Sequence, residues 1–229
     1  MYGSWVLVII ILLSSIPVII VYTWFRLAKY QYKPVHFLLT LLAGATAFFP
    51  ALILQDLLNF SFSARGKMEL FYHVFVRIAF TEELSRLLML LIFFWLGGII
   101  AKNDSDQPLS WTVVKKGAAV GLVAGLGFAL VENTVYAASN TAVLLLRAIT
   151  ATLLHAACGS RVGTAAVMLR SNPFQAVVRL LIAAVIHGIY NFMIILPGFP
   201  SIIAILIALS ALVTSILLIQ NTPGKPLTQ

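Results

Sequence analysis

Charge is what this chain has least of. Only 10% of its 229 residues are charged, against 61% hydrophobic, where a soluble domain carries about 25% charged residues. With so few polar side chains it cannot cover a water-facing surface, so lipid is the expected solvent. Acidic residues are the scarcest, seven against fifteen basic, for a net charge of +8. The basic residues are scattered between apolar runs, which reads as membrane-flanking charge and argues against a nucleic-acid partner. A single cysteine, Cys158, excludes an intrachain disulfide. No charge-rich linker marks a second domain, and no inverted repeat or low-complexity segment is visible. A cleavable signal peptide is not expected either. The first apolar run opens at Trp5 with no basic residue before it, and it is long enough to span as a retained helix.

What is present is a series of apolar runs of the length a bilayer crossing needs, about 20 residues. They occupy roughly 4–25, 35–57, 71–100, 112–138, 142–169, 175–196 and 201–220. The expectation is an all-α polytopic membrane helical bundle of about seven transmembrane helices, one domain over 1–229. The third and fifth runs are long enough to be tilted, broken or extended past the membrane. Turn-forming breaks fall at Lys33-Pro34, Phe60–Lys67, Lys102–Pro108, Ser139-Asn140, Ser171–Pro173 and Pro197–Pro200. Arg26, Lys29, Lys33, Lys102, Lys115, Lys116, Arg170, Arg179 and Lys225 lie on one side, and Arg65 and Lys67 on the other. The positive-inside rule then places the N-terminus outside and the C-terminus in the cytoplasm. Gly117, Gly121 and Gly125 line one face of the fourth run, where small residues let a second helix approach closely.

Ionisable groups inside such runs cost about 2.5–3.5 kcal/mol each on insertion scales, so each needs a reason. The third run holds Glu82 and Glu83, followed by Arg86. Arg86 is one turn from both acids and can pair with either, which leaves one carboxylate unexplained by a structural ion pair. The fourth run carries Glu132, Asn133 and Tyr136, the fifth His155, and the sixth His187 with Asn191 one turn on. By about 1.5 Å of rise per residue, Glu82, Glu83, His155 and His187 fall near the midplane, with Glu132 nearer the outer face. A shared polar cavity explains this layer better than chance. His36 and His73 sit near run ends and read as interfacial.

Glu82-Glu83-x-x-Arg86, Phe128-x-x-x-Glu132-Asn133-x-x-Tyr136, His155 and His187-x-x-x-Asn191, in that order on successive helices, resemble the PrsW family, itself similar to the wider CAAX-protease and bacteriocin-processing superfamily. The resemblance covers 71–196, a catalytic four-span core. It implies a polytopic protease of the bacterial cytoplasmic membrane that cuts a membrane-anchored single-span protein, an anti-sigma factor, at the first step of a stress-signalling cascade. It also implies that Glu82 and Glu83 are the paired catalytic acids, with Glu132, His155, His187 and Asn191 completing the motifs. Glu132 stands where CAAX-type relatives place a histidine, and Arg86 where many PrsW sequences have lysine. The expected catalytic set is therefore Glu82, Glu83, Glu132, His155, His187 and Asn191, with Arg86, Asn133 and Tyr136 orienting it.

Peptide hydrolysis needs an activated water, an oxyanion stabiliser and a proton for the leaving amine. No Ser-x-x-Lys or Gly-x-Ser-x-Gly supports a serine nucleophile. Cys158, three residues after His155, is a cysteine candidate on spacing alone. Asp56 lies at a run end and Asp104 and Asp106 in a loop, so no aspartyl pair stands at depth. Two schemes stay open. In one, Glu82 or Glu83 deprotonates water with a histidine's help, and Asn191 and His187 face the oxyanion. In the other, His155, His187 and Glu132 bind zinc, two histidines and a glutamate being a known catalytic set. A proton- or ion-coupled transporter is the rival from another class, since it too would keep Glu and His in the membrane.

Overall fold

The computed structural model describes residues 4–28, 30, 33–60, 66–97, 111–136, 141–195 and 201–221. Its elements are α1 (Ser4–Leu27), α2 (Pro34–Thr46), α3 (Phe48–Leu57), α4 (Lys67–Phe71), a π-helical segment (Tyr72–Phe80), α5 (Thr81–Gly97), α6 (Trp111–Tyr136), α7 (Thr141–Met168), α8 (Pro173–Ile195) and α9 (Ser201–Asn221). Every regular element among the described residues is helical. With α2–α3 and α4–π–α5 each consecutive in the chain, they correspond to the seven expected runs. Five meet the length and apolarity of a membrane crossing outright: Val8–Leu27, Pro34–Leu57, Thr112–Tyr136, Pro173–Ile195 and Ile202–Gln220. The other two, α4–π–α5 and α7, carry Glu82, Glu83, Arg86 and His155. The expected breaks at 102–108, 139–140 and 197–200 lie outside the described residues.

The punctuation has local causes. Pro34 opens α2 at its first turn, where a missing N–H costs nothing. Pro50 cannot donate within α3, and its ring crowds the carbonyl four residues back, so the second run divides at Ala47. Asn172 caps α8: its Oδ1 accepts from the Gln175 N–H at 3.1 Å. The third run departs most from a plain span. It begins at Lys67 and changes from π to α winding at Thr81, immediately before the paired glutamates.

The exterior is apolar, as a lipid-facing surface must be: Leu12, Ile19, Ile20, Phe49 and Ile53 are all more than half exposed. The centre is α7, which packs against α1, α5, α6, α8 and α9. Its contact with α6 is made by glycine. A Cβ at Gly121 would collide with the Gly159 carbonyl, and one at Gly125 with the carbonyl of His155. The two backbones therefore touch, in the packing mode that association in lipid favours. The glycine face read from the sequence thus has its partner, and that contact sets His155 directly against α6.

Candidate active site

Four helices deliver the polar layer: Glu82, Glu83 and Arg86 from α5, Glu132 from α6, His155 from α7, and His187 and Asn191 from α8, all buried. Glu83 is the hub. Its Oε1 accepts from Arg86 Nη2 at 2.6 Å and pairs with His187 Nδ1 at 2.8 Å. Arg86 Nη2 also lies 3.2 Å from His155 Nδ1, and His155 Nε2 lies 2.6 Å from Glu132 Oε2. Arg86 lies over the Phe128 ring, its guanidinium carbon 4.6 Å from the centroid, a contact that suits a desolvated cation.

These contacts assign the protons. A guanidinium only donates, so His155 Nδ1 accepts from Arg86 and Nε2–H donates to Glu132. A carboxylate only accepts, so His187 Nδ1–H donates to Glu83 and Nε2 faces the other way. What Nε2 faces is Glu82 Oε2, 3.7 Å away, an oxygen that is buried with no hydrogen-bond partner. Two acceptors that close, out of water, require a proton or a cation between them. The other oxygen, Oε1, accepts from the Gln55 side-chain amide at 3.2 Å.

The arrangement differs in one respect from the expected ligand set. Glu82, His155 and His187 offer ligand atoms within 4.8 Å of one another. The carboxylate in this group is Glu82 and not Glu132, because Glu132 is drawn off by the imidazole N–H of His155. The donor set fits a divalent ion, two imidazoles and a carboxylate being a catalytic zinc combination. His187 is already held as a ligand is, with Nδ1–H on a carboxylate and Nε2 presented. His155 has both nitrogens engaged and must release one of them to join.

The remaining expected residues fall at different distances from this centre. Asn191 is buried one turn beyond His187, and its side chain makes no hydrogen bond among the described residues. Asn133 turns the other way: its Nδ2 donates to Ser14 Oγ and Thr152 Oγ1, both at 3.0 Å, and ties α6 to α1 and α7. Tyr136 is 41% exposed at the end of α6, outside the buried layer. Cys158 is buried, and its thiol bonds the Ala183 carbonyl at 3.5 Å, with no base hydrogen-bonded to it among the described residues as a nucleophile requires. His73 lies within the π segment, with Nδ1 accepting from Arg77 Nη1 at 3.3 Å.

Gln55 and Phe128 were not assigned roles from the sequence. Phe128 stood inside a motif, and only the packing of α6 on α5 reveals it as the platform for Arg86. Gln55 has no neighbour in sequence that hints at a site. A polar side chain inside an apolar run was the one available signal.

A family model described as PrsW family intramembrane metalloprotease matches residues 33–219. No match is found among curated proteins or solved structures.

Proposed function

The chain belongs to the PrsW family of intramembrane metalloproteases, and from that premise we propose how its own residues perform the hydrolysis. As a member it is a multi-pass membrane hydrolase that acts on membrane-embedded protein in a lipid environment. The proposed catalytic core is the four spans within 71–196.

The reading is carried by the facing pair Glu82 Oε2 and His187 Nε2, two buried acceptors 3.7 Å apart. Glu82 is the general base, its unpartnered oxygen taking a proton from the attacking water and returning it to the leaving amine. Glu83 acts through His187, fixing its tautomer and aim, and Arg86 holds Glu83 in place. The Asn191 amide, one turn from His187 and unspent, is the proposed donor to the oxyanion. Glu132 holds His155 as Glu83 holds His187. In the metal-bound alternative Glu82 is a ligand and not the base: with His187 and His155 it would hold a divalent ion, zinc being the one that suits the donor set. When bound, such an ion supplies Lewis acidity at the carbonyl and the water.

The proposed substrate is a single-span membrane protein, such as an anti-sigma factor, in the bacterial cytoplasmic membrane. A helix hides its carbonyls in internal hydrogen bonds, so cleavage is expected where few such bonds must open, in the outer juxtamembrane part of the substrate. Orientation follows the basic residues, N-terminus outside and C-terminus in the cytoplasm. Reporter fusions after residues 105 and 225 should both read cytoplasm, and an external signal from either would reverse the topology.

The function is tested by metal analysis of purified protein together with a cleavage assay. Purified wild type should carry about one zinc per chain and cut a single-span substrate, and stripping the metal should remove activity that zinc restores. His187→Ala and Glu82→Ala should each lower metal content by about 10-fold or more. Full metal content in both variants would remove these residues from the site. Undiminished cutting by metal-free protein would leave the metal-free scheme.

A further inference from the structure

At the end of the bundle where α3 stops and α4 begins lies a cavity, lined by both polar and apolar residues, that the chemistry above does not use. Its volume is about 360 Å³, and Asn59, Phe60, Glu69, Tyr72, His73 and Arg77 are among the residues lining it. Arg77 joins it to the active site. Its Nε donates to the Gln55 backbone carbonyl at 2.7 Å, and the Gln55 side-chain amide donates to Glu82 Oε1 at 3.2 Å. One residue of α3 therefore touches both the wall of the cavity and the proposed base.

The π segment is what makes this contact available. In α geometry His73 and Glu82, nine residues apart, would be separated by roughly two and a half turns and point in opposite directions. The wider i→i+5 turns of Tyr72–Phe80 wind less per residue. His73 bonds Arg77, and Arg77 and Glu82 both meet Gln55, so the three lie along the side facing α3. Arg77 precedes Glu82 by five residues, about 7 Å along the axis, which an extended peptide covers in about two residues.

Arg77 is also uncompensated. No carboxylate among the described residues pairs with it, although Glu69 shares the cavity. A half-buried guanidinium in a cleft favours an anionic guest, and a carboxylate meets it with charge-assisted hydrogen bonds. The geometry points to a substrate subsite: the cavity receives the extended segment next to the cut, and Arg77 selects an acidic side chain about two residues from the scissile bond on the outer flank. This rests on the proteolytic reading and adds a specificity to it. Gln55 is a positioning residue that links the subsite to Glu82.

The test uses full-length protein in nanodiscs and single-span substrates that differ only by Asp, Asn or Lys at each of the four residues outside the cut. At one position Asp should exceed Lys by about tenfold in kcat/KM, chiefly through KM. Arg77→Gln should level the preference and Arg77→Glu should reverse it. Asn59→Asp, on the cavity rim and clear of the Arg77 bonds, should weaken it several-fold, which keeps the test open if the Arg77 variants do not accumulate. An identical ranking in wild type and every variant, or no charge preference in wild type, would overturn the subsite. Soluble flank peptides carrying Asp or Lys, titrated against the uncleaving Glu82→Gln protein, read the cavity without turnover. Equal binding of the two overturns the subsite, whereas failure to cut any substrate strikes the proteolytic reading.

Discussion

Glu82→Gln should leave protein that accumulates in the membrane at close to the wild-type level and cuts its substrate at least about 100-fold more slowly, the usual range for a lost general base being about 10²–10⁴-fold. The glutamine amide keeps the shape and can still accept from Gln55, so folding is spared. It cannot take a proton, and it replaces one of the two acceptors that face each other across 3.7 Å. Glu83→Ala and His187→Ala should be as inactive for different reasons. Without Glu83, His187 loses the acceptor that sets its tautomer, and Arg86 loses its carboxylate. Without His187, Glu82 Oε2 faces nothing. Kinetics on a single-span substrate, alongside immunoblots for protein level, check all three. Normal cutting by the three variants together would place the chemistry elsewhere in the bundle.

Arg86→Ala should be the most damaging substitution for the fold. Arg86 has no exposed surface, and it bonds Glu83 Oε1, His155 Nδ1 and the His155 carbonyl while stacking on Phe128. Removing it strands the buried Glu83 carboxylate, and breaking a buried pair from one side costs about 3–5 kcal/mol. That is comparable to the whole stability of many domains, so yield and thermal stability in detergent should both collapse, and activity with them. Arg86→Lys keeps the charge and can still reach Glu83. It loses the planar fork that serves Glu83 and His155 together and the stack on Phe128. It should therefore accumulate and retain substantial activity, with a lower melting temperature. Normal yield and full activity in Arg86→Ala would show that the Glu83–Arg86 pair contributes nothing.

The amino-acid sequence by itself determined that this protein is a helical membrane bundle and which residues are out of place in it. Both follow from local quantities. A run of about 20 apolar residues specifies a span whatever its neighbours do, and Glu82, Glu83, Glu132, His155 and His187 stand out because a charged or polar group in such a run is costly wherever the helix packs. That a second helix approaches α6 closely was likewise readable from Gly117, Gly121 and Gly125, and the structure makes α7 that helix. Only the tertiary structure decided who meets whom. The expected ligand set joined Glu132 to the two histidines, whereas the carboxylate that lies with them is Glu82, a difference that depends on the rotation of α5 and α6 about their axes, which hydropathy does not encode. The tautomers of His155 and His187 depend on Arg86 and Glu83 arriving from α5. The π segment shifts the phase of everything before Thr81, so a count at 3.6 residues per turn puts His73 on the wrong side of Glu82. Gln55 reaches the site from a helix with no recognisable motif, because a hydrogen bond between α3 and α5 exists only once both are packed.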